Sequence, residues 1–366
     1  MSSVQAAMAA VPRHLFVPSA VWADLGPGPW VEIDREASPA RWAEAADADI
    51  PLVTQFGDGQ AGGAGLASSS CSMPSMVAAF LDGLDVYEGD QVLEIGTGTG
   101  WTAALLCELS GGASNVTTVE IDPQLAQHAA SSLKDAGYAP EVITGDGAAG
   151  WPEGAPYDRV HATCAVRDIP RAWISQVRPG GIVVCPYSPG FGYGHVLRLH
   201  VLPDGTATGR FAGSADYMML RSQRPAGGDA DRWAEAGQPA AESVTQLDPR
   251  LLERAPVAAD LWIAALVTGV ETRMYEAGDG SGECTFWVLD AAGPGRSWAS
   301  ADYEPGAAVY QVQQAGDRKL WDEAEAAYFG WLKAGQPDIR RFGLTVTPAG
   351  QQLWLDDPGN VIALPR

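Results

Sequence analysis

The sequence predicts an α/β fold: a mainly parallel sheet wound with helices, closed by an antiparallel edge hairpin and followed by a smaller α+β domain. Three observations point to it. Residues 91–100, Q-V-L-E-I-G-T-G-T-G, form an apolar run that breaks at three glycines and re-enters as a helical pattern. Short apolar runs then alternate with helix-spaced segments, as parallel strands joined by crossovers do. A P-D-G turn (Pro203, Asp204, Gly205) separates two β-patterned runs, which is a hairpin signal.

From the start of the chain, residues 4–10 have helical spacing ended by Pro12. Residues 11–18, V-P-R-H-L-F-V-P, read as a short extended arm carrying Arg13 and His14 beside apolar Phe16 and Val17. Residues 21–66 hold several Gly, Pro and Asp with Trp22 and Trp30 and read as irregular; Gln55, Gly57 and Gly59 lie on the approach to the next motif. That motif, A-S-S-S-C-S-M-P at 67–74, leads into a helix opened by Pro74, whose missing N–H is not needed in the first turn. Met76, Val77, Phe80 and Leu81 give the helix a buried stripe, and Ser72 can cap it or face a substrate.

In 91–100, Val92, Leu93 and Ile95 form a buried strand, and Gly96, Gly98 and Gly100 turn the chain into a helix at 101–109. Such a turn brings backbone N–H groups to a ligand at a helix N-terminus, with Thr97 and Thr99 between the glycines. Glu94, inside the strand, suits a polar ligand group. The next strand, 116–120, ends in Glu120 before Ile121, about 20 residues past the glycines, the spacing at which a carboxylate accepts from a ribose diol. A strand at 141–146 ends in G-D-G, where Asp146 suits an adenine edge and Gly147 follows. Further strands lie at 158–163 and 177–186, and the hairpin strands at 194–202 and 206–211.

R-P-A-G-G-D-A-D at 224–231 reads as a linker between residues 1–223 and 232–366. In the latter, Leu320, Ala324, Ala327, Tyr328, Trp331 and Leu332 share a helical face, and Phe342, Leu344 and Val346 alternate as a strand. Trp233, Trp262, Trp287, Trp298, Trp321, Trp331 and Trp354 read as core anchors of this domain, with a peptide-binding aromatic face as the alternative.

A net charge of −22 excludes nucleic acid and anionic membrane as partners, since both would be repelled. No basic leader or long apolar run is visible, which predicts a cytoplasmic protein. The five cysteines lack a C-x-x-C and read as reduced thiols, and the five histidines have no metal-ligand spacing.

The element order, with E-I-G-T-G-T-G first and R-P-G-G later, resembles class I (Rossmann-like) S-adenosylmethionine methyltransferases rather than dinucleotide dehydrogenases. The V-P-R-H-L-F-V-P arm, Ser72 two residues before Pro74, and V-L-E-I-G-T-G-T-G together resemble the protein-L-isoaspartate O-methyltransferase family over about residues 11–211. The resemblance implies S-adenosyl-L-methionine as cofactor, held by Glu94, Gly96, Thr97, Gly98, Thr99, Gly100, Glu120, Ile121, Asp146 and Gly147. It also implies an arm and lid over residues 1–75, and a substrate carboxylate received by Ser72 with His14 and Arg13. Met73 and the serine run before Cys71 depart from the family's usual pattern.

The additional domain resembles the C-terminal extensions of relatives that tailor ribosomally made peptides. That likeness implies a peptide substrate, a cyclised ribosomal precursor, whose aspartate is methylated and then loses methanol to give an aspartimide. One alternative is repair of L-isoaspartyl residues in damaged proteins. Another is a non-catalytic cofactor-binding interaction protein, against which the intact glycine loop and both acids stand.

Overall fold

The structure, a computed structural model, describes residues 2–24, 30–60, 65–192, 194–225, 229–234, 239–253 and 258–363. The chain divides into two compact units. Met1–Ala165, Ile169–Pro186 and Val196–Ala207 form the first, and Val166–Asp168, Tyr187–His195 and Thr208–Arg366 the second.

The first unit opens with α1 (Ser3–Ala10), started by a capping box in which Ser2 accepts the Gln5 N–H and the Gln5 side chain accepts that of Ser2. Strands β1 (Ala20–Ala23) and β2 (Val31–Asp34), helix α2 (Pro39–Asp47), and strands β3 (Leu52–Phe56) and β4 (Ala67–Cys71) follow. These four strands form an antiparallel sheet in the order β2-β1-β3-β4. The stretch expected to be irregular is therefore ordered where it is described; residues 25–29 and 61–64 lie outside the described residues. Its strands are four or five residues long, too short for a period of two to stand out among so many glycines. The arm expected to be extended instead makes a single 3₁₀ turn at Arg13–Leu15, closed by the Phe16 N–H on the Arg13 carbonyl at 2.9 Å.

Helix α3 (Pro74–Leu84) leads to β5 (Val92–Ile95), α4 (Trp101–Leu109), β6 (Val116–Glu120), α5 (Pro123–Asp135), β7 (Glu141–Thr144), β8 (Tyr157–Ala162), α6 (Arg171–Ser175), β9 (Val177–Tyr187) and β10 (His195–Val201). Five of these strands pair in parallel in the order β9-β8-β5-β6-β7, and β10 lies beside β9. All four residues of β5 are buried, as expected of a parallel strand covered on both faces. After β5 the chain runs to β6 and β7 on one side, then crosses back to β8 on the other. This reversal opens a crevice at the carboxyl ends of the strands, where ligands bind in open α/β sheets. The P-D-G turn is closed by Leu202 N–H on Thr206 O at 2.8 Å and Gly205 N–H on Leu202 O at 3.0 Å.

The second unit contains β11 (Ala207–Ser214), α7 (Asp231–Ala234), β12 (Ala241–Thr245), α8 (Arg250–Glu253), α9 (Ala259–Leu266), β13 (Val270–Glu276), β14 (Cys284–Asp290), β15 (Trp298–Tyr303), β16 (Tyr310–Ala315), α10 (Leu320–Lys333), β17 (Phe342–Thr347) and β18 (Gly350–Leu355). Its antiparallel sheet has the order β12-β16-β15-β14-β13, and β11, β17 and β18 run side by side. Of the linker at 224–231, residues 226–228 lie outside the described residues. Trp233, Trp298, Trp321, Trp331 and Trp354 are buried, and the Trp287 and Trp298 rings pack 5.4 Å apart, so these aromatics build a core rather than an open face.

Candidate active site

The glycine loop sits between β5 and α4 at the reversal of strand order. Gly96, Gly98 and Gly100 have φ of 91°, 54° and 89°, in the left-handed region that glycine enters without strain. At Gly96 the close approach is specific: a Cβ there would lie 2.4 Å from Thr163 Oγ1. That hydroxyl donates to Gly96 O at 2.6 Å, tying the loop to the end of β8. Thr97 is buried and Thr99 half-buried.

Glu120 ends β6 beside this loop. Its Oε2 accepts the Gly98 N–H at 2.9 Å and its Oε1 the Asp122 N–H at 3.1 Å. A carboxylate has about four acceptor positions, so lone pairs remain for a diol. Asp122 caps α5 by taking the Gln124 and Leu125 N–H groups on Oδ1. On the neighbouring strand end, Gly145 N–H donates to Glu120 O at 2.9 Å, and Asp146 is exposed with Oδ1 on the Ala148 N–H. Ile121 is exposed and Gly147 buried.

Glu94 is fully buried. Thr118 Oγ1 donates to its Oε2 at 2.6 Å, while Oε1 has no hydrogen-bond partner among the described residues. Burial raises its pKa most, the Thr118 bond works against that, and Glu120 adds repulsion, leaving it pushed up to about 8. An orphaned buried oxygen, glycines that a Cβ would clash against, and a second acid with open lone pairs fit an adenosyl cofactor.

The substrate-side residues divide. Arg13 is buried and donates to four carbonyls: Ala46 at 3.3 Å, Ala48 at 3.1 Å, Ile50 at 2.8 Å and Cys71 at 2.8 Å. Its terminal nitrogens are thereby committed to the backbone, which makes it a brace for the end of β4. His14 is exposed. Ser72, just after β4, is half-buried; the N-cap of α3 is Met73, with no side-chain capping bond, so Ser72 is not the helix cap.

Sequence reading missed Thr118, Asp122, Thr163, and the pair Gln55 and Ser68 as linked site residues. Asp122 carried a signal, an Asp directly before Pro123 at a helix start. The others depend on contacts far apart in sequence. Cys164 follows Thr163; burial first, then the Glu120 and Asp146 carboxylates, push its thiol up to about 12. The protein's cysteines are all free.

This geometry is that of a class I S-adenosylmethionine-dependent methyltransferase. The family model described as protein-L-isoaspartate(D-aspartate) O-methyltransferase matches residues 30–218. Protein-L-isoaspartate O-methyltransferase 2 of Archaeoglobus fulgidus is 37% identical over 184 residues, covering 50% of this chain and 69% of its own. The protein-L-isoaspartate O-methyltransferase of Ignicoccus hospitalis is 34% identical over 203 residues, covering 55% and 81%. A solved structure named protein-L-isoaspartate O-methyltransferase superposes with a TM-score of 0.54 at 20% identity, covering 98% of this chain and 96% of that one. The chain belongs to the protein-L-isoaspartate O-methyltransferase family, and its cofactor is S-adenosylmethionine.

Proposed function

We propose that this protein methylates the carboxylate of L-isoaspartyl residues in peptides or proteins. The observation that carries this reading is the family match across both the cofactor crevice and the β4–α3 junction at Ser72.

S-adenosylmethionine supplies an electrophilic methyl group on a sulfonium. The accepting carboxylate, with a pKa near ~4, is ionised at neutral pH, so no general base is required. The protein's work is positioning and exclusion of water. Glu120 and the glycine loop fix one partner. Ser72 presents a hydroxyl to the other, and Arg13 holds that hydroxyl's position by bonding the carbonyl of Cys71, the residue before it. Glu120 and the glycine loop would hold the methyl donor for the carboxylate oxygen that Ser72 and Arg13 position.

Methylation of an aspartate in a modified ribosomal peptide would rest on the additional domain. A solved protein with the isoaspartate name covers nearly the whole of this fold, second unit included, so that domain does not favour tailoring. The test offers the enzyme an isoaspartyl peptide and its aspartyl twin. A gain of about 14 Da, one methyl replacing hydrogen, is expected on the isoaspartyl peptide alone. Methylation of the aspartyl twin alone would reject the proposal.

A further inference from the structure

The β3–β4 hairpin is not a regular ladder. Val53 faces Ser70, Gln55 faces Ser69 and Phe56 faces Ala67, so Thr54 on one strand and Ser68 on the other have no opposite residue. Paired bulges of this kind re-aim side chains, and they recur beside active sites. Here they bring Gln55 and Ser68 together. The Asp58 N–H donates to Ser68 Oγ at 3.1 Å, the Ser68 hydroxyl donates to Gln55 Oε1 at 2.7 Å, and Gln55 Nε2 donates to Asp122 Oδ2 at 3.0 Å. The polarity is consistent at each step: a carboxylate accepts, so the amide nitrogen faces Asp122 and the amide oxygen is left for the serine hydroxyl. Gly59, at φ +75°, leaves the room required, since a Cβ there would lie 2.7 Å from Gln55 Nε2.

Asp122 connects this chain to the cofactor side, because its own N–H donates to Glu120 Oε1 at 3.1 Å. The hairpin also approaches the glycine loop directly: a Cβ on Gly98 would lie 3.6 Å from Ser70 O. At its far end β4 runs into Ser72. We infer that Gln55 is a positioning residue that couples occupancy of the cofactor crevice to the order of the hairpin leading to the substrate serine. A ligand held by Glu120 fixes the Glu120–Asp122 turn, the turn fixes Gln55, and Gln55 fixes the hairpin. The coupling is reciprocal, so an ordered hairpin also tightens cofactor binding. The substrate half of this inference rests on the proposed carboxyl methylation; the cofactor half does not.

The test compares full-length wild type with Gln55→Ala and Ser68→Ala. S-adenosylhomocysteine affinity is measured by calorimetry, and amide hydrogen exchange at β3 and β4 is followed with and without that ligand. In wild type the ligand should slow exchange in the hairpin. Gln55→Ala should lose about fivefold or more in ligand affinity and the exchange response with it, at an unchanged melting temperature. Ser68→Ala, which removes one hydroxyl and keeps the Gln55 side chain, should shift the same way by less, and it decides the matter if the first variant does not fold. With an isoaspartyl peptide, Gln55→Ala should raise the peptide KM while kcat at saturation stays close to wild type. Wild-type affinity together with a wild-type exchange response in the variants would overturn the inference. If the wild type ignores isoaspartyl peptides, the substrate reading fails while calorimetry and exchange still decide the coupling.

Discussion

Thr118 donates to Glu94 Oε2 at 2.6 Å, and Thr97 Oγ1 lies 2.7 Å from Thr118 Oγ1, so a buried carboxyl of β5 reaches the glycine loop through a residue of β6. Around it lie Glu120 on β6, Cys107 on α4 and its register partner His161 on β8. Burial alone lowers the His161 imidazole to about 4, so at neutral pH it adds no charge to the group.

Glu94 makes stability depend on pH. In the unfolded chain it ionises at its ordinary 4.5, whereas burial in the fold pushes it up to about 8. Across that window the folded protein holds a proton that the unfolded chain has released. Stability therefore falls as pH rises through it, by at most about 1.4 kcal/mol per pH unit from this group. Glu94→Gln removes the titration. Urea unfolding at several pH values should show the variant gaining on wild type from about pH 5 to about pH 8 at up to that slope. A difference that stays flat would mean that Glu94 is ionised in the fold.

Cofactor affinity should separate the two strand-end acids. Glu120→Ala removes the acceptor for two backbone N–H groups and the acceptor proposed for a ribose diol; Asp146→Ala removes one exposed acceptor. Losing a hydrogen bond to a charged group costs about 1.5–3 kcal/mol, so each variant should bind S-adenosylhomocysteine about tenfold or more weakly. Glu120→Ala should be the worse, because the glycine loop and the Asp122 turn loosen with it. Calorimetry that finds wild-type affinity in both would remove these acids from the site.

Ser72→Ala tests the substrate side. The N-cap of α3 is Met73, with no side-chain capping bond, so the usual loss of about 1 kcal/mol for a missing cap should not appear. Turnover on an isoaspartyl peptide should fall while the melting temperature holds. Unchanged turnover would leave Ser72 with no part in catalysis.

The parallel core and its crevice were legible because the signals are local: the apolar run of Val92, Leu93 and Ile95 in β5, three glycines, and an acid ending β6. Residues 21–66 were not, since strands of only four or five residues have little period to read. The Gln55–Asp122 pair spans 67 positions and depends on two bulges, which leave no mark in the sequence. Arg13 and His14 looked equivalent as neighbours in one motif. Only the fold shows that one points into four carbonyls and the other into solvent.

That contrast gives a last pair of variants. Arg13 spreads a planar fork of donors over carbonyls contributed by residues 46, 48, 50 and 71, and its guanidinium lies 5.7 Å from the Trp101 ring centroid. The Trp101 Nε1–H in turn donates to Val11 O at 3.0 Å, so the arm is held from both sides. A lysine carries its charge on a single nitrogen and cannot span four acceptors, so Arg13→Lys leaves buried carbonyls without donors. The expected loss is about 2–4 kcal/mol of stability, with turnover falling because the end of β4, and Ser72 with it, shifts. His14→Ala should leave unfolding unchanged, and any effect should appear in the peptide KM. Thermal melts read beside steady-state kinetics separate the two roles. Arg13→Lys with a wild-type melting temperature and depressed turnover would mean that the guanidinium acts on substrate after all.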